Sequence, residues 1–161
     1  MGLDMYLRRK VYVGLNYSHN IDETKETKII INGKHFDYSS LTSLEFNVMS
    51  WRKANSIHDF FVKEVQDGED DCKEYYVDRS IIRKLVEYCA KDIQYIKSLP
   101  EEDFKSGKIN TEKLNLTPTE GFFFGSTTID EWYLQDLVET TLKLNTELLN
   151  EEGDFYYQSS W

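Results

Sequence analysis

Between Asp78 and Pro100 the apolar side chains fall at Ile81, Ile82, Leu85, Val86, Cys89, Ile93 and Ile96, the spacing of one face of an α-helix. Such a stripe has to be covered, because helical stability in a protein comes mainly from burying the apolar face. Asp78 stands where an N-cap belongs, and Leu99-Pro100 closes the segment. The same spacing predicts two more helices. One starts at Phe46 or Val48 and runs to Val65, with Phe61, Ala54, Val65, Trp51 and Val62 on one face. The other ends near Leu149 and aligns Leu134, Leu137, Val138, Thr141, Leu144 and Leu148. Its start is predicted from Thr128-Ile129-Asp130-Glu131, which matches a capping box with Thr128 as the cap.

The stripes need a partner, and the extended runs supply one. Residues 3–13 alternate loosely and carry Tyr6, Val11, Tyr12 and Val13, which reads as a strand, followed by a loop over residues 14–20. Residues 27–36 hold Asn32-Gly33 between two extended runs, the preferred type I′ hairpin turn, because both central residues need positive φ. Residues 66–73 form an acidic loop and residues 74–77 a short strand. Residues 101–118 read as a polar excursion. Gly121 and Gly125 enclose three phenylalanines, which suggests a short buried strand, and Phe155-Tyr156-Tyr157 makes a last one. The expected fold is α+β, a mostly antiparallel sheet with three helices packed on it. With 161 residues the chain fits a single domain, 1–161.

Charge limits what such a domain can bind. The net charge is −10, and residues 67–161 carry ten Lys/Arg against twenty-one Asp/Glu. That excess disfavours direct nucleic-acid binding, which draws its affinity from cations. An acidic face attracts a basic partner instead, and Glu69, Asp70 and Asp71 are the candidates for that surface. No apolar run is long enough to span a membrane. Met1-Gly2-Leu3-Asp4-Met5-Tyr6 places an acid where a signal peptide has its basic region. In that setting Cys72 and Cys89 are expected to be free thiols.

The polar residues of the first predicted helix are the most informative. Trp51, Asn55 and His58 are spaced i, i+4, i+7, with Arg52 and Asp59 at the rim. A pocket built from Asp4, Trp51, Arg52, Asn55, His58, Ser126 and Trp161 could stack on and charge-pair with a nucleotide-like ligand. The competing reading makes His58 a hydrogen-bonded core residue that ties its helix to the sheet. Gly125-Ser126-Thr127-Thr128 could cradle a phosphate at a helix start. It lacks the P-loop lysine and the dinucleotide spacing, and Asp130 and Glu131 would repel an anion. His19, His35 and His58 have no metal-ligand spacing, and Asp67-Gly68-Glu69-Asp70-Asp71 does not alternate as a calcium loop does. No cofactor, metal or catalytic set is marked.

Four segments carry a resemblance. They are Met1-Gly2-Leu3-Asp4-Met5-Tyr6-Leu7, Trp51-Arg52-Lys53-Ala54-Asn55-Ser56-Ile57-His58, Gly121-Phe122-Phe123-Phe124-Gly125-Ser126-Thr127, and Tyr156-Tyr157-Gln158-Ser159-Ser160-Trp161. In this order, along essentially the whole chain, the sequence resembles a family of small uncharacterised bacteriophage and prophage proteins. It departs from them at Ser50, where the family has an aromatic residue. The resemblance implies a phage accessory product acting in the host bacterial cytoplasm, and it implies no catalytic residues. The first expectation is therefore a protein that binds a host protein, such as a defence or nucleic-acid-processing factor. The alternatives are a small-molecule binder or enzyme using the pocket around Trp51, Arg52, Asn55 and His58, and a minor assembly protein of the virion.

Overall fold

The computed structural model describes residues 2–12, 30–35 and 42–161. Its elements in chain order are strands β1 (Asp4–Tyr12), β2 (Ile30–Ile31), β3 (Lys34–His35) and β4 (Ser43–Arg52), helix α1 (Asn55–Val65), strand β5 (Tyr75–Val77), helices α2 (Arg79–Ser98), α3 (Glu101–Lys105) and α4 (Glu131–Glu147), and strand β6 (Asp154–Ser160). Four strands form an antiparallel sheet in the order β4-β1-β6-β5. The α+β expectation is met.

Alternation along β1 and β6 sorts the sheet into two faces. Leu3, Met5 and Leu7, with Phe155, Tyr157 and Ser159 on β6, are buried toward the helices. There they meet Ile57 and Phe61 of α1, Ile82, Leu85 and Cys89 of α2, and Leu137 and Leu144 of α4. The Phe61 ring stacks on Tyr157 with centroids 4.0 Å apart and planes 13° apart, and burying one such ring contributes roughly 2–3 kcal/mol. On the opposite face Arg8 lies over Tyr6 and Lys10 over Tyr156. Arg8 pairs with Glu45 and Glu74 at 3.5 Å each, and Lys10 pairs with the same two carboxylates.

The hairpin turn behaves as its sequence predicts. Asn32 and Gly33 have φ of 52° and 75°, and β2 pairs antiparallel with β3. Residues 27–29 and 36 of that segment, and the loop at 14–20, lie outside the described residues. A β-branched side chain resists positive φ. Gly33→Val is therefore expected to speed amide exchange across β2 and β3, and unchanged exchange would count against this turn.

Helix α2 also forms as expected, with Asp78 accepting from the Ser80 amide at 2.7 Å. Both cysteines are free. Burial, followed by the nearby Asp92, pushes the Cys89 thiol up to about 12.

Four local expectations are corrected. Residues 46–52 are strand, not the start of α1. Leu7 pairs with Met49 and Arg8 with Asn47, so Val48 is an extra residue, a β-bulge. The bulge turns Val48 and Met49 inward together, and with Trp51 they imitate a helical turn. The break before α1 is Lys53, at φ 61°. Second, residues 121–125 are a turn rather than a buried strand. The Phe124 amide bonds to the Gly121 carbonyl at 3.2 Å, and Phe123 sits at φ 68°. Third, Asp130, not Thr128, caps α4, accepting from the amides of Trp132 and Tyr133 at 3.0 Å each. Thr128 accepts from the Ser126 hydroxyl instead. Fourth, the excursion over 101–118 contains α3 and one 3-10 turn (Thr111–Lys113), and it buries Leu114 and Leu116.

Candidate functional site

The end of β4, the start of α1, the turn at 119–128 and the start of α4 meet around one cleft of about 300 Å³. Asn55, the first residue of α1, organises it. Its amide donates to the carbonyls of Phe124 (3.3 Å) and Ser126 (2.9 Å), and its side-chain oxygen accepts from the Thr119 amide (3.2 Å). Buried itself, Asn55 pins both ends of the turn to the helix. The Leu3 amide adds a bond to the Phe123 carbonyl at 3.2 Å. Gly121 is required by contact, since a Cβ there would lie 2.2 Å from the Phe124 ring.

So held, the turn presents aromatic side chains outward. Phe122 is 77% exposed, Trp132 at the start of α4 is 74% exposed, and Phe123 and Trp161 are 40% and 44% exposed. Ser126 borders both the cleft, beside Trp132, and a shallow hollow containing Phe122. Among the described residues, the two most exposed aromatic rings thus border two hollows that share Ser126.

Of the residues expected to form a pocket, Arg52, Asn55 and Ser126 line the cleft. Asp4 lies beside Arg52, with Oδ1 3.8 Å from the guanidinium. Trp51 is buried, its indole N–H donating to the Thr140 hydroxyl at 2.7 Å. It shares no helix face with Asn55 and His58, because it belongs to β4. His58 is also buried and lies among other partners. Its Nδ1 is 2.7 Å from the Tyr157 hydroxyl and its Nε2 is 2.9 Å from Asp70 Oδ2. Trp161 packs on Phe124, which forms a T-shaped pair with His58, their ring centroids 5.0 Å apart.

A carboxylate can only accept, so Nε2 donates to Asp70, and in the neutral ring Nδ1 then accepts from Tyr157. Burial, then the charge of Asp70, raises the Tyr157 hydroxyl well above the ordinary tyrosine range, which keeps it a donor. Ser159 donates to Asp70 Oδ1 at 3.3 Å. The relay is closed and satisfied, the core-histidine arrangement.

Asp70, predicted for the acidic surface, is thereby engaged by His58 and Ser159 while staying partly exposed. Asp71 is occupied as well, accepting from the Lys73 amide and the Tyr75 hydroxyl, and its hydrogen bond to Lys73 lowers its pKa. Glu69 remains exposed.

Sequence reasoning did not place Lys53, Trp132 and Asp136 in the cleft wall, and it weighed Asp130 only as a charge that would repel an anion at the 125–128 turn. Burial pushes the Asp136 carboxyl up to about 6, with Glu139 and Asp130 adding to the shift. A raised folded-state value means that ionising Asp136 opposes folding. Its unfavourable contribution grows as pH rises from the unfolded value toward 6 and is fully present above that.

No family model, curated protein or solved structure matches this chain.

Proposed function

We propose that this chain is a phage accessory protein that acts by binding a protein of its bacterial host through the turn at 119–128 and the start of α4. The observation carrying this reading is the outward display of Phe122 and Trp132 at two hollows that share Ser126. Large aromatic rings exposed to water cost free energy unless they are used, and clustered aromatic residues with an arginine make up the energetic centre of protein interfaces. The anchoring by Asn55 supports it further, since a turn fixed in advance loses little entropy on binding. The net charge of −10 favours a basic partner. On the open sheet face Arg8 and Lys10 are already paired with Glu45 and Glu74, which argues against that face gripping phosphates. No helix among the described residues is long and apolar enough to cross a membrane.

The nucleotide-like pocket is less well supported, because Trp51 and His58 are buried and cannot offer their rings to a ligand. Capture from host lysate tests the binding reading. The wild-type chain is expected to retain a defined host protein. Phe122→Ser with Trp132→Ser should lose at least ten-fold of that retention at unchanged melting temperature. Undiminished retention by the double variant would contradict the proposal.

A further inference from the structure

We infer that the cleft between α1 and α4 is a receptor for a guanidinium group, the side chain of an arginine presented by the binding partner. This rests on the binding reading above and names the chemistry of its central contact. Asp136 is the starting point. It lies half-buried in the cleft wall, and its carboxylate accepts no hydrogen bond and pairs with no cation among the described residues. Buried charges are normally compensated. The elements facing the cleft carry charges of both signs, with carboxylates in excess.

From the α4 side come Asp130, Glu139 one turn beyond Asp136, and Tyr133, whose hydroxyl is turned away to the Leu116 carbonyl at 2.6 Å. From the β4 side come Arg52 and Lys53. The Arg52 guanidinium is largely exposed and faces Asp4, while the Lys53 stem lies against Gly125. Asp4, Asp130, Asp136 and Glu139 outnumber Arg52 and Lys53, and Asp136 is the carboxylate that neither pairs with a cation nor accepts a hydrogen bond among the described residues.

The remaining walls suit a flat cation. Trp132 borders the space with an exposed indole, and a guanidinium stacks on such a face while its N–H groups reach a carboxylate in the same plane. A volume of about 300 Å³ is of the scale of one long side chain rather than a folded segment. The elevated Asp136 value fits a carboxylate kept in place at a cost to stability. A cation at the cleft would lower it again.

Titration of the full chain with acetyl-arginine amide, followed by amide chemical shifts, tests the inference against acetyl-citrulline amide and inorganic phosphate. The expected result is shifts in residues 52–56 and 126–136 with the arginine probe, at least ten-fold weaker with citrulline. Binding should be lost in Asp136→Asn and should weaken as pH falls below about 6. Asp136→Asn should remain folded and, at neutral pH, be more stable than wild type. Equal response to citrulline, preference for phosphate, absence of binding, or binding unaffected by Asp136→Asn would each overturn the inference. If arginine fails to bind while the Phe122 and Trp132 variant still loses the host protein, the cleft assignment falls and the binding reading stands. If arginine binds as expected while no host protein is retained, the guanidinium site stands and the host-protein reading falls.

Discussion

Replacing Asp92 by alanine is expected to cost the fold about 4 kcal/mol, close to the whole stability of a marginal domain. Asp92 is fully buried on α2 and has no cation partner among the described residues. Its oxygens accept from the Asn115 amide (2.9 and 3.1 Å), the Asn115 side chain (2.7 Å), the Leu116 amide (2.9 Å) and the Tyr133 hydroxyl (3.4 Å). It therefore joins α2 to the 114–116 segment and to α4. Alanine would leave the Leu116 amide and the Asn115 donors without this partner, while the Tyr133 hydroxyl keeps the Leu116 carbonyl at 2.6 Å, and each unsatisfied group costs roughly 1–3 kcal/mol. Asp92→Asn keeps one acceptor oxygen but turns an NH₂ toward amide donors, so it should recover less than half of the loss. Urea denaturation measures both. An alanine variant as stable as wild type would show that these bonds contribute nothing net.

His58→Ala should cost about 3 kcal/mol. The Tyr157 hydroxyl, buried under α1, loses its acceptor, and Asp70 loses its donor while remaining partly open to water. The edge contact with Phe124 disappears as well. His58→Gln offers a donor and an acceptor from one side chain and should restore part of the loss. The opposite outcome, full stability with binding abolished, would make His58 a functional residue and contradict the structural role. Combined substitution of Glu69, Asp70 and Asp71 would therefore confound charge steering with loss of the relay. Glu69 alone is the clean probe of that effect.

The helices α2 and α4, the hairpin turn, and the strands at both ends of the chain were legible because each follows a local period or turn rule. The start of α1 was not, because the bulge at Val48 brings consecutive residues inward and mimics a helical spacing. The exposed phenylalanines were invisible for a different reason. Hydropathy assigns Phe122 and Phe123 to the core, and only the turn closed by Gly121 and Phe124 places them in water. Asp92 and Asp70 show the converse error. An apolar-spacing count skips a buried acid at a core position, and a run of acids reads as solvated whichever way one of them turns. Arg52, Asn55 and Ser126 could be grouped from their motifs. Trp132 and Asp136, the other side of the cleft, carried no motif.

The most direct test of the binding site is hydrogen exchange on the chain alone and in complex with the retained host protein. Protection on binding is expected in residues 119–136 and 52–56, with β1, β2 and β3 unchanged. Protection confined to β1, β2 and β3, with residues 119–136 exchanging as in the free chain, would contradict the account.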